Sequence, residues 1–225
     1  MEVIHNNNIQ VYKLELEIEN TGHITNTYII KDNETAKICV IDPAFDENKI
    51  ISLINEIKGE LESVIVTHSH ADHIAALANL AETTKAKVYV HHLDYEGLYN
   101  KIFNEEDIVR TKVIPVEKES VIQVKDKDII ELGTTKFEIM HTPGHTQGSM
   151  CIIDNKNKIL YSGDTIFETT YGRTDLITGS SKDMKVSLEK LFDTFESICV
   201  LPGHGDIFDL QNSKRRIRLL YAYKG

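Results

Sequence analysis

Residues 67–73 read THSHADH and follow an apolar run. That run predicts a buried strand, so His68 and His70 stand at its C-terminal edge. Two residues apart in extended chain, both side chains point the same way. Asp72 and His73 then open a helix that turns back over the same spot. Four ligand-type residues in six positions can make two adjacent metal sites, because neutral imidazole suits zinc and iron. A pair of surface histidines at a turn would explain one His-x-His. It does not explain the added Asp72 and His73.

Three later stretches share this design. TPGHTQGS (142–149) presents His145, SGDT (162–165) presents Asp164, and LPGHG (201–205) presents His204. Each follows a strand-like apolar run, and each carries a glycine that lets the backbone approach closely. Taken singly, each is an ordinary Gly-His or Gly-Asp turn. Together they present His or Asp every time, which a turn alone does not require.

Patterning outlines the elements that must hold these residues. Apolar runs predict strands at 9–18, 27–30, 37–41, 61–66 and 87–90, and helices at 45–57 and 74–83. In the second half, runs at 121–124, 129–132, 136–140, 150–153 and 158–161 predict an antiparallel meander, turning at DKD, LGTT and DNKN. A helix over 182–195, a strand over 198–201 and a short basic C-terminal helix follow. The strands fall into two groups, each with its own helices. A sheet covered by helices on one face must bury its other face. Two such sheets packed face to face give an α+β fold, a four-layer αββα sandwich. Residues 92–120 show no clear period and read either as a solvated helical insertion or as a wall of the cleft. With no repeat or linker, one domain over residues 1–225 is expected.

Composition narrows the function. The chain has 225 residues, with 25 Lys and Arg against 35 Asp and Glu, a formal net charge of −10. That disfavours a general nucleic-acid binder, which needs a positive face. No apolar run is long enough to cross a membrane. MEVIHNNNIQ has neither the basic start nor the apolar core of a secretory signal. Cys39, Cys151 and Cys199 have apolar neighbours and wide spacing, so they read as reduced thiols within strands. The cytoplasm is the expected compartment.

In motif order the sequence resembles the metallo-β-lactamase fold hydrolases: Asp42 in VIDPA, then HxHxDH, a Gly-His, a Gly-Asp and a closing Gly-His. The resemblance runs over residues 27–204 and implies the same αββα sandwich, with a metal cleft at one edge of the sheets. It implies a first metal on His68, His70 and His145, a second on Asp72, His73 and His204, and Asp164 bridging them. The ions would be divalent, zinc foremost, with iron or manganese as alternatives. Asp42 would orient the ligand-bearing loops, unless it is only a strand-end turn before Pro43.

Within the family, HTPGHTQGS, SGDTIF and GRTD look most like the small glyoxalase II-like thioester hydrolases. Members with the full architecture add a helical thiol-binding domain after the last histidine. Only 21 residues follow His204, so that domain is not expected. The implied chemistry is hydrolysis of a small thioester by a water whose pKa the two ions lower toward about 7, with Asp72 as a ligand that also orients or deprotonates the nucleophile. Arg173, with Tyr171 as a weaker candidate, would meet a substrate carboxylate; a surface Arg173–Asp175 pair is the alternative. A mononuclear-iron persulfide dioxygenase using His68, His145 and Asp164 is the runner-up, ahead of a lactonase or nuclease. The partner is then a small molecule, with no nucleic acid and no membrane, and a homo-oligomer is compatible. His23, in the NTGHITN hairpin, reads as a solvent-exposed loop histidine rather than a flap over the cleft; His91, His92 and His141 read as structural.

Overall fold

The computed structural model describes residues 2–6, 8–18 and 21–223. Seven strands form the first sheet in sequential order: β1 (Glu2–His5), β2 (Ile9–Glu17), β3 (Ile24–Asp32), β4 (Lys37–Ile41), β5 (Glu60–Val66), β6 (Lys87–His91) and β7 (Val121–Val124). β1 to β4 pair antiparallel, and β4 to β7 pair parallel. Six strands form the second sheet: β8 (Ile129–Leu132), β9 (Thr135–His141), β10 (Met150–Asp154), β11 (Ile159–Gly163), β12 (Cys199–Pro202) and β13 (Phe208–Asp209), in the order β13-β12-β11-β10-β9-β8.

Alternation along the strands builds three apolar layers. In β10, Met150 and Ile152 face the first sheet, where they join Tyr28, Ile30, Ile41 and Ile65. Cys151 and Ile153 face the other way, onto α5 (Ser181–Thr194) and α6 (Leu210–Tyr223), against Met184, Leu188, Leu191 and Ile217. On the far side of the first sheet, α1 (Glu47–Glu56) and α3 (Leu77–Thr84) bury Ile50, Leu53, Leu77 and Leu80 on Ile29, Val40, Val64 and Val88. The layers are therefore αββα, as patterning predicts. Capping starts two of the helices: the Asp46 side chain accepts from Lys49 N at the head of α1, and Ser180 from Asp183 N at the head of α5. Cys39, Cys151 and Cys199 are free thiols within β4, β10 and β12.

Three expectations need correction. The five-strand meander has four strands, β8 to β11, because residues 121–124 join the first sheet beside β6. The parallel pairing requires a long crossover, and residues 92–120 supply it. That crossover is not a solvated insertion. It holds a 3-10 turn (Tyr95–Leu98) and α4 (Glu106–Val109), and it buries Leu98, Val113 and Val116 in the outer core. The helix expected over 74–83 is split into α2 (Ala71–Ile74) and α3. Between them, the Ala76 N–H donates to Pro43 O and Ala44 O, 3.2 and 3.1 Å away, and so ties the break to the end of β4.

Candidate metal centre

Every ligand-type residue singled out in the sequence arrives at one edge of the two sheets. His68 and His70 follow β5, and Asp72 and His73 lie in α2. His145 sits between β9 and β10, Asp164 follows β11, and His204 follows β12. The ligand atoms of His68, His70 and His145 lie within 4.8 Å of one another, as do those of His73, Asp164 and His204. His70 Nδ1 is 2.9 Å from His145 Nε2, and His73 Nε2 is 3.4 Å from His204 Nε2. Asp164 Oδ2 stands 3.4 Å from both His145 Nε2 and His204 Nε2, between the two groups. Asp72 Oδ2 is 3.3 Å from His204 Nε2 and 3.4 Å from His73 Nε2. The backbone must come very close here: a Cβ at Gly203 would lie 2.3 Å from Asp164 Oδ1.

Except at His70, the outward nitrogen of each imidazole is tied, which leaves the inward one free for a cation. His73 Nδ1 pairs with Asp42 Oδ2 at 2.9 Å, His145 Nδ1 with Arg173 O at 2.7 Å, and His204 Nδ1 with Ile24 O at 2.6 Å. Asp42 also accepts from Thr67 N and Thr67 Oγ1 at 2.7 and 2.6 Å, and Thr67 Oγ1 contacts His68 Nδ1 at 3.1 Å. One carboxylate thus stands behind histidines of both groups. It does so from a left-handed backbone, φ 51°, a conformation that Asp tolerates better than most residues.

Burial and charge divide the centre. Burial, with the neighbouring His73 charge, drives the His68 imidazole well below its ordinary pKa. Burial and His145 take His70 down to about 3. Burial also works against protonation of His73 and His204, but Asp72, Asp164 and Asp42 raise His73 to about 9, and Asp164 and Asp72 raise His204 to about 11. Despite burial, those imidazoliums hold the Asp72 and Asp164 carboxyls well below the usual range. One half therefore holds the neutral imidazoles of His68 and His70, and the other an array of carboxylates and imidazoliums. The buried His68 Nε2, His70 Nε2 and Asp164 Oδ1 have no hydrogen-bond partner. Buried polar atoms without partners are costly, and divalent cations would satisfy His68 Nε2 and Asp164 Oδ1. The donor set fits such ions.

Several contacts lay outside the sequence reading. His23 is not simply a solvent-exposed loop histidine: its Nε2 lies 2.9 Å from Asp72 Oδ2, and its ring meets His204 edge-on at 5.3 Å. Thr25 Oγ1 donates to the same Asp72 oxygen at 3.1 Å. His141 stacks on His91 at 4.0 Å, apart from the ligand groups. Arg173 pairs with Asp175 through two 2.8 Å hydrogen bonds, both side chains exposed, so the surface ion pair is formed. Tyr171 and Arg173 also line a cavity of about 640 Å³ with Lys182, Lys185 and Tyr221, along the loop whose Arg173 carbonyl holds His145.

An αββα sandwich with histidine–carboxylate groups at one sheet edge defines a class, the metal-dependent hydrolases. A sequence model of the Metallo-beta-lactamase superfamily matches residues 20–204, and the chain belongs to that superfamily. An uncharacterised protein of Mycobacterium leprae (strain TN), ML0493, is 31% identical over 188 residues, 80% of this chain and 86% of the relative. The hydroxyacylglutathione hydrolase GloC of Haemophilus influenzae is 26% identical over 196 residues, 87% of this chain and 92% of GloC. The crystal structure of TTHA1623 in a di-iron-bound form superposes with a TM-score of 0.81 at 24% identity, covering 92% of this chain and 99% of that one. The protein is thus a metallohydrolase whose fold binds divalent metal.

Proposed function

We propose that the protein hydrolyses a small thioester, releasing a carboxylic acid and a thiol. The observation that carries this reading is the pair of adjoining ligand groups with Asp164 between them, 3.4 Å from a histidine of each. Likeness to GloC, a hydroxyacylglutathione hydrolase, supports the thioester as substrate.

His68, His70 and His145 would hold one ion, Asp72, His73 and His204 a second, and Asp164 would bridge them. Two divalent ions, zinc foremost with iron or manganese as alternatives, would supply Lewis acidity and lower the pKa of water there toward about 7. The remaining work belongs to the chain. Asp72, anionic in its buried site, orients the attacking water and can take its proton. Asp42 holds the His73 and His68 rings in their tautomers. A thiolate leaves readily, so no protein acid need sit beside the sulfur. Arg173, turned from Asp175, holds a carboxylate on the thiol half, with Tyr171, Lys182 and Lys185 around it in the rim cavity.

The test is the metal content of protein purified without added metal, followed by turnover of an S-acyl thiol and of a persulfide. Two ions per chain with thiol release from the S-acyl substrate is the expected result. One iron per chain with oxygen consumed on the persulfide would overturn the hydrolase reading in favour of a dioxygenase.

A further inference from the structure

Between the loops that carry His68, His70 and His145 lies a carboxylate that belongs to neither. Asp94 follows β6 in the sequence HHLDYEG and is 3% exposed. Its Oδ2 accepts from Ser69 N at 2.9 Å, and Ser69 stands between His68 and His70. The same oxygen accepts from Thr146 Oγ1 at 2.8 Å, next to His145. Its Oδ1 accepts from Gly148 N at 2.8 Å. All three are short bonds to an anion, the stronger kind of hydrogen bond.

The surroundings are shaped to this contact. A Cβ at Gly148 would come within 2.5 Å of both Asp94 N and Asp94 Oδ1, so the loop closes on the carboxylate only with glycine there. Asp94 is itself fixed: its N–H donates to His91 O at 2.9 Å, and its carbonyl accepts from Gly97 N at 3.0 Å. One side chain therefore pins the segment after β5 in the first sheet to the β9–β10 connection in the second. These are the segments that bring His70 Nδ1 to 2.9 Å from His145 Nε2. No hydrogen bond of Asp94 among the described residues reaches Asp72, His73, Asp164 or His204.

We infer that Asp94 is a positioning residue that sets the metal affinity of the three-histidine cluster alone, by clasping the two loops that carry it. This rests on the two-cluster reading proposed above. Groups that orient ligands in this way typically change metal affinity about 10- to 100-fold when removed.

The test titrates the full chain and Asp94→Asn with cobalt(II) against a competing chelator, with metal per chain counted and unfolding of the metal-free protein followed by circular dichroism. Asparagine keeps the shape but faces at least one N–H donor with another. The expected variant unfolds cooperatively, keeps one ion at wild-type affinity and binds the other about 10- to 100-fold more weakly. Equal weakening of both ions, or two ions at wild-type affinity, would overturn the inference. If the wild type takes only one ion, the two-cluster reading fails separately. A roughly 10-fold loss of that single ion in Asp94→Asn would then uphold the clasp, and unchanged affinity would end it. Should Asp94→Asn prove insoluble, Thr146→Val removes one donor at constant volume. Selective weakening of one ion is expected there too, and its absence would overturn the inference.

Discussion

The histidines of this centre differ in what stands against them, and that difference governs how each takes a cation. His68 and His70, neutral through burial, offer lone pairs directly. His73 and His204, raised to about 9 and about 11 by the carboxylates, hold protons at pH 7 that an ion must displace. Because those imidazoles deprotonate only as pH climbs, apparent metal affinity should rise from pH 6 toward pH 9. Calorimetry in buffers of different ionisation enthalpy should show about one to two protons released per chain at pH 7; no proton release would mean that both rings are already neutral. Asp164→Ala removes the carboxylate that stands between the two groups and should abolish turnover and metal loading together, read by metal analysis of the dialysed variant. On the proposed reading Arg173 holds substrate in the cavity it lines and takes no part at the carbonyl. Arg173→Ala should raise KM for an anionic S-acyl thiol about 10-fold with kcat little changed, the pattern of lost uniform binding. If neither constant moves, Arg173 serves only its pair with Asp175.

Elements deliver these residues because strands end where apolar runs end. That is why the HxHxDH, Gly-His and Gly-Asp positions were legible from sequence: each follows a run whose burial fixes its direction. His23, Asp94 and the parallel placement of β7 were not. His23 lies in a hairpin of small polar residues, and its contact with Asp72 depends on how that hairpin folds over the edge. Asp94 looks like any acidic turn residue, since its partners lie 25 and more positions away. β7 carries an apolar run that fits either sheet, and only the crossover through residues 92–120 decides between them. Asp32 shows the same limit at the opposite end of the strands. Its two oxygens accept from Glu34, Thr35, Thr134 and Thr135, joining the β3–β4 turn to the β8–β9 hairpin. Burial raises its pKa, but the donors prevail and hold it at about 2, below the ordinary 3.8. The folded value is depressed, so its stabilisation of about 2 kcal/mol is complete above pH 3.8 and lost as pH falls toward 2. Asp32→Asn should cost about that much in urea unfolding at pH 7, and the gap should close in acid.

At the scale of the molecule, three apolar layers share two sheets. Ile152 lies between the sheets and Leu188 under the outer helices. Truncating either to alanine should cost about 2–5 kcal/mol. If residues 1–225 form one domain, both variants should lower the midpoint of a single thermal transition. Two resolved transitions, each moved by one variant, would show separate units. α6 rests on the second sheet through Ile217, and Arg218 ties it to α5 by donating to Glu189 at 2.8 Å. The basic tail thus spends charge on its own neighbour. Among the described residues, no helix is long and apolar enough to cross a membrane.

The ligand groups draw on segments far apart in the chain, one from the first sheet and three from the second. An ion seated there is a removable cross-link across an open seam. Each ion held at about 100 times its dissociation constant should add about 2.7 kcal/mol to folding, or roughly 5–10 °C in Tm for a chain of this size. Chelation should therefore lower Tm by that amount per ion released. Proteases should then cut first in the connections that bear the histidines, because the edge built for catalysis is also where the two sheets part.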